Sequence, residues 1–203
     1  VRKNLTAAMV KKFIPARKSK SRKGDNGIVL VVGGSYIYHG APILSSLAAL
    51  RCGTDLVYTC VPKINVTPTR AISPNLIVIP LVDQKLTLGA VKKLVGALPR
   101  NLHSATIGMG LAIQEKNSLL HLVKSLLDRD VRLSLDASAL IPEILPILAH
   151  KNVVVTPHAG EFKRLFGDIP SDSQNERIKL VEQHAFNHGI TILLKGPTDI
   201  ISN

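Results

Sequence analysis

The chain has 203 residues, 45% of them hydrophobic, with a mean hydropathy of +0.20 and a formal net charge of +12. That length suits one well-buried core and is short for two, and no apolar segment approaches the roughly 20 residues that span a bilayer. The N-terminus is polar and basic with no hydrophobic secretory core behind it, so a single cytoplasmic domain over residues 1–203, without membrane contact, is expected. The charge is uneven. Residues 1–27 hold nine basic side chains (Arg2, Lys3, Lys11, Lys12, Arg17, Lys18, Lys20, Arg22, Lys23) against Asp25, while the remainder is net +4. A basic arm steers a phosphorylated ligand as readily as RNA. Aromatic residues make up only 3% with no Trp, which leaves few platforms for stacking bases, and nucleic acid is not expected as a partner. Cys52 and Cys60 fit neither a C-x-x-C nor a metal-ligand spacing and read as free buried thiols.

Residues 4–14 read as a short helix that Asn4 or Thr6 can cap, with Met9, Val10, Phe13 and Ile14 as its apolar side and Pro15 as its stop. A basic connector follows to Lys23. The stretch from Gly24 to Gly53 organises the chain. Ile28-Val29-Leu30-Val31-Val32 is an apolar run without alternation, as in a parallel strand buried on both faces. Gly33-Gly34 then reads either as a tight strand-to-helix turn or as a close approach of backbone to a ligand. The spacing is neither a Rossmann nor a Walker pattern. The next helix opens at Ala41-Pro42, carries Leu44, Leu47, Ala48 and Leu50, and ends at Gly53.

Beyond it, strands are expected at 55–61, 76–80, 105–109, 132–136, 152–156 and 191–195, with a Pro- and Thr-containing loop after the first of these. Helices are expected at 86–98, 115–127, 139–149, 160–166 and 173–188. This alternation predicts βαβ units and an α/β fold with a mostly parallel sheet and helices on both faces. In such a sheet the carboxyl ends of all parallel strands share one edge, where ligands bind. Gly108-Met109-Gly110, Asp136, Thr156-Pro157-His158-Ala159-Gly160-Glu161 and Lys195-Gly196 all fall there. Asp136 reads equally as an N-cap or a functional carboxylate, His158 as a turn residue bonding backbone or a ligand contact, and Glu161 as a complement to a helix dipole. Lys195 before a glycine suits a phosphate. His39 and His184 read as surface or loop residues.

Taken in order, Lys23-Gly24-Asp25-Asn26-Gly27, Val31-Val32-Gly33-Gly34-Ser35, Gly40-Ala41-Pro42, Gly108-Met109-Gly110-Leu111, Leu135-Asp136-Ala137-Ser138, Thr156-Pro157-His158-Ala159-Gly160-Glu161 and Leu194-Lys195-Gly196 resemble the ADP- or ATP-dependent NAD(P)H-hydrate dehydratases, a family of ribokinase-like fold. Met109, Ser138 and Ala159 stand where that family usually has Pro, Asp and often Pro. The resemblance implies repair of hydrated NADH and NADPH: a phosphoryl group from the nucleotide is spent on the ring hydroxyl, and phosphate is then eliminated. By the same resemblance Ala41, Gly108, Gly110 and His158 line the hydrated dinucleotide site. Lys195, Gly196, Pro197, Thr198 and Asp199 contact the adenosine nucleotide, with Mg²⁺ expected on it and a homo-oligomer as the expected assembly.

The family's Gly-Thr-Gly-Asp segment, which carries its catalytic Asp, is expected beyond Asn203, so the C-terminal part of the fold is expected to be absent and no residue of 1–203 is assigned as catalytic. A chain ending there is expected to turn over the hydrate more slowly than one extended through that segment. Two alternatives are a small-molecule kinase of the same fold, acting on a thiamine-precursor type of alcohol, and an RNA-binding module that uses the basic arm.

Overall fold

The computed structural model describes residues 3–14 and 16–203; Arg2 of the arm and Pro15, read above as a helix stop, lie outside the described residues. Eight strands, β1 (Ile28–Val32), β2 (Leu56–Pro62), β3 (Leu76–Leu81), β4 (Ser104–Ile107), β5 (Arg132–Leu135), β6 (Val153–Val155), β7 (Thr191–Leu194) and β8 (Ile200–Ser202), form one sheet ordered β3-β2-β1-β4-β5-β6-β7-β8. Every neighbouring pair is parallel except β7 and β8, which close an antiparallel hairpin.

The central run of β1 feeds both faces, as its unalternating sequence requires. Ile28, Leu30 and Val32 enter the larger core, with Leu119 and Leu122 of helix α5 (Lys116–Leu127) and Val181 of α8 (Gln174–His188). Val31 points the other way, to Val57, Leu76 and Met109, where Ala49 and Leu50 of α2 (Gly40–Arg51) cover it. The remaining helices are α1 (Ala7–Phe13), α3 (Val66–Ile72), α4 (Leu88–Ala97), α6 (Leu145–Leu148) and α7 (Ala159–Phe166). None of the helices, among the described residues, is long and apolar enough to cross a membrane.

Several expectations need correction. The loop expected after β2 folds into a 3-10 turn (Lys63–Asn65) and α3, because Pro68 falls in the first helical turn, where its missing N–H costs nothing. The helix expected at 139–149 breaks into 3-10 turns at Ala137–Ala139 and Pro142–Ile144 and the four-residue α6, since Pro142 and Pro146 cannot sit inside a continuous helix. On α2 the buried residues are Pro42, Ile43 and Ser46, whereas Leu44 is 69% exposed. Ser46 is tolerated there because its hydroxyl donates to Pro42 O (2.7 Å) and pairs with Thr59 Oγ1 (2.8 Å).

Thr6 is the residue that caps α1, but the helix buries nothing, and Val10, Phe13 and Ile14 stand exposed. Cys60 is buried, and burial pushes its thiol pKa up; Cys52, expected to be buried, is exposed at the end of α2. His184 is a buried residue of α8, not a surface one: its Nε2 lies 2.8 Å from Asp168 Oδ2 and its ring stands edge-on to Phe162. His39 is exposed, as expected.

The basic arm is tied down by Asp55, whose side chain is almost fully covered. Its carboxylate accepts from the backbone N–H groups of Gly24 (2.9 Å) and Asn26 (3.0 Å), from the Asn26 amide and from Arg17. These partners, the Asn26 backbone first, hold its pKa below the usual carboxylate value.

Candidate active site

The sheet order reverses between β1 and β4: β2 and β3 extend to one side, β4 through β8 to the other. That topological switch point is where an open α/β sheet leaves its crevice. The turns after the two strands are tied across it, with Gly34 N donating to Met109 O (2.9 Å) and Gly108 N to Val32 O (3.0 Å). A side chain on Gly33 would come within 2.6 Å of Met109 O, so the glycine pair closes the switch point by packing. Gly108, at φ +119°, draws the next turn in as well: a Cβ there would collide with Asp136 O and sit 2.8 Å from Ala139 Cβ.

The result is a mostly apolar cavity of about 440 Å³, lined by Ser35, Tyr38, Ala41, Gly110, Ala137 and Ser138. Ala137 adopts a positive φ of 49°, which is strained for any residue with a Cβ. Arg164 of α7 holds that turn, donating from Nη2 to Ala137 O (2.6 Å) and from Nε to Leu140 O (3.0 Å).

Next to this cavity along the sheet edge lies an ionic cluster. The Asp136 carboxylate makes no cap bond to the turn it precedes. Its Oδ1 accepts instead from Lys195 Nζ (2.7 Å) and Thr156 Oγ1 (2.8 Å). Lys195 Nζ is also 3.7 Å from Glu161 Oε2. Glu161 is buried in the first turn of α7, where it accepts from His158 N (2.9 Å) and faces the positive end of the helix dipole. His158 completes the capping box with Nδ1 accepting from Gly160 N (3.0 Å) and Glu161 N (3.3 Å). Because Nδ1 accepts, the neutral ring carries its proton on Nε2, 3.6 Å from Glu161 Oε1. The His158 side chain is 60% exposed, so that N–H remains open to a ligand.

The edge ends at the β7–β8 hairpin. Lys195 N donates to Pro157 O (2.8 Å), and Gly196 N donates to Asp199 Oδ1 (3.0 Å), which closes the connecting turn and leaves Pro197, Thr198 and Asp199 exposed.

Ala41 and Gly110 thus line the cavity, and Gly108 packs against its Asp136 turn. His158 stands further along the edge, linked to Lys195 through Glu161. Residues 195–199 form the hairpin start. Sequence reasoning missed Tyr38 and Ala137 in the lining, Arg164 as the brace of Ala137, and Arg177 of α8 against Gly196. Ala137 stands within the Leu135-Asp136-Ala137-Ser138 stretch quoted above; the others lie in no motif with a characteristic spacing, and for Tyr38 only the Tyr36-Ile37-Tyr38 run beside the glycine pair, exposed in the structure, offered a signal.

A solved ribokinase-like superfamily protein from Enterococcus faecalis superposes with a TM-score of 0.73 at 23% identity, over 97% of this chain and 67% of that one. The fold is ribokinase-like, and its crevice lies at the carboxyl edge of the parallel strands.

A family model described as NAD(P)H-hydrate dehydratase matches residues 29–203. The chain is 84% identical over 202 residues to an ADP-dependent (S)-NAD(P)H-hydrate dehydratase of Nitrosopumilus maritimus, covering 100% of this chain and 70% of the relative. It is 66% identical over 194 residues to the protein of the same description from Cenarchaeum symbiosum, covering 96% and 68%. A solved ADP/ATP-dependent NAD(P)H-hydrate dehydratase from Bacillus subtilis, co-crystallised with ATP and Mg²⁺, matches with a TM-score of 0.79 at 26% identity, over 97% of this chain and 68% of that one. The chain belongs to the NAD(P)H-hydrate dehydratase family.

Proposed function

We propose that this protein, acting in the cytoplasm, dehydrates the (S) form of hydrated NADH and NADPH back to NAD(P)H at the expense of ADP. The hydrate occupies the crevice end at β1, β4 and β5 and reaches His158 after β6, and the nucleotide occupies the end at β7 and β8. One observation carries the reading: the cavity wall and the phosphate end are covalent and ionic neighbours. Ala137 lines the cavity, Asp136 precedes it, and Asp136 binds Lys195, which opens the hairpin. An apolar cavity is therefore linked to the polar segment by one ion pair across the turn after β6, a proximity that transfer of a phosphoryl group to a ring hydroxyl needs.

Hydroxide is a poor leaving group, and phosphorylation turns it into phosphate. Here Ala41, Gly110 and Tyr38 enclose the ring, and His158 offers its Nε2–H to the dinucleotide. Residues 195–199 hold the adenosine nucleotide, while Lys195 fixes the spacing between the two ends through Asp136 and Glu161.

Mg²⁺ fits as an ion carried by the nucleotide. No group of three or more His, Cys, Asp and Glu converges as a cage among the described residues. Mg²⁺ commonly takes one or two carboxylates beside phosphate oxygens, and Asp136 and Glu161 supply that donor type at the phosphate end. When bound, it neutralises phosphate charge. The choice of ADP over ATP rests on the description shared by the two archaeal relatives. A homo-oligomer belongs to the same reading, supported by the exposed apolar residues Tyr36, Ile37 and Leu44 around the β1–α2 loop.

The test is to follow recovery of reduced nicotinamide absorbance from the (S)-hydrate with ADP, with ATP and with neither. Recovery that requires nucleotide and is faster with ADP supports the reading. Equal recovery without nucleotide contradicts it.

A further inference from the structure

Two cations flank Gly196, and the structure treats them differently. Lys195 is compensated twice, by Asp136 at 2.7 Å and Glu161 at 3.7 Å. Arg177 is not compensated. Its Nε is buried without a hydrogen-bond partner, and its guanidinium makes no hydrogen bond or ion pair among the described residues. The Nε donor is therefore left unused at some cost, while the four Nη donors of this half-buried side chain reach solvent and are open to a ligand.

The position of the fork is set by the missing side chain at 196. A Cβ on Gly196 would collide with Arg177 Nη2 and come within 3.0 Å of Nη1 and 3.1 Å of Cζ, so the guanidinium occupies the place a side chain would fill. The neighbours of Arg177 on α8, Gln174 and Ile178, line a cavity of about 590 Å³ with Thr198, Asp199 and Ile200. An unpaired guanidinium thus sits against Gly196 in the hairpin turn, and its helix neighbours, not Arg177 itself, line that cavity.

We infer that Arg177 is a phosphate-binding cation of the nucleotide site, its Nη donors paired with phosphate oxygens of ADP. The inference rests on the reading that residues 195–199 hold the nucleotide, and it divides the labour of the two cations. Lys195 fixes Asp136 and Glu161, and Arg177 meets the phosphates. A planar guanidinium suits phosphate bidentately, which an ammonium does not.

The experiment is calorimetric titration of the chain and its Arg177→Gln and Arg177→Lys variants with ADP and with adenosine, at two salt concentrations. Arg177→Gln should weaken ADP by about tenfold to a hundredfold, while adenosine affinity changes less than about twofold, because only the phosphate contact is lost. Its ADP affinity should also depend less on salt. Arg177→Lys should recover only part of the affinity.

Unchanged ADP affinity in Arg177→Gln, or equal weakening of ADP and adenosine, overturns the inference and leaves Arg177 as packing against Gly196. If Arg177→Gln loses its cooperative thermal transition, Arg177→Lys, which keeps the charge and the stem, carries the comparison, and wild-type ADP affinity in it overturns the inference. Failure of the underlying reading looks different: the unaltered chain then binds neither ADP nor adenosine, and the inference falls with it.

Discussion

His158 divides two tasks between its ring nitrogens. Nδ1 caps α7, and the exposed Nε2–H is left for the dinucleotide. Asn also serves at an N-cap, so His158→Asn separates the tasks. It should keep thermal stability near that of the unaltered protein while weakening hydrate binding by about 1–3 kcal/mol, the range for an unpaired polar partner, and ADP binding should stay nearly constant. Titration with each ligand checks this, and equal loss of both would assign the ring to α7 alone.

His188, further along, gives a pH dependence whose sign can be worked out. Burial, and then the neighbouring His184, push its pKa below the ordinary 6.5. The folded state therefore disfavours the protonated ring, so this contribution is full above pH 6.5 and is lost as pH falls through the lowered value. Denaturant titrations on either side of that pH should show a smaller loss of stability in His188→Gln. The motif around His158 was legible in the sequence as Thr-Pro-His-Ala-Gly-Glu, but which nitrogen faces what depends on the fold of α7. The buried setting of His184 was not legible, because Phe162 and Phe166 reach it from another helix.

At the scale of elements, the alternation of strands and helices was readable because β-branched runs and helical spacings differ in period. Failures fell where proline had two permitted meanings. Pro68 is accepted in a first turn, whereas Pro142 and Pro146 divide an apolar stretch into short turns. The turn between β5 and those pieces is the one that matters for the site, since it forces Ala137 into a left-handed conformation costing roughly 1–2 kcal/mol.

Arg164 offsets that strain through two carbonyl contacts. Arg164→Ala should raise KM for the hydrate several-fold, about the effect of 1 kcal/mol, and leave KM for ADP unchanged. Adding Ala137→Gly should restore part of the loss, because glycine accepts the positive φ without strain. Steady-state kinetics of the single and double variants decide the point. At the opposite edge of the sheet, Asp55→Ala removes the anchor of the arm. Trypsin should then cut within residues 17–23 markedly faster, with ligand affinities at the crevice unaltered.

Over the whole molecule, the rule that parallel strands share a carboxyl edge was enough to bring residues 33, 108, 136, 158 and 195 to one side from sequence alone. The switch point between β1 and β4 was not legible, because strand order depends on which faces of the helices find partners. Nor was the bond from Lys195 to Asp136, which converts two separate motif residues into the seam between the crevice's ends.

In the proposed reaction a phosphoryl group crosses that seam and is then released. The most direct test measures reduced nicotinamide and free inorganic phosphate together as the protein consumes hydrate and nucleotide. The two should appear in equal amounts and only when nucleotide is present. Phosphate retained on an organic product, as a kinase of this fold would leave it, or reduced nicotinamide recovered at the same rate without nucleotide, would contradict it.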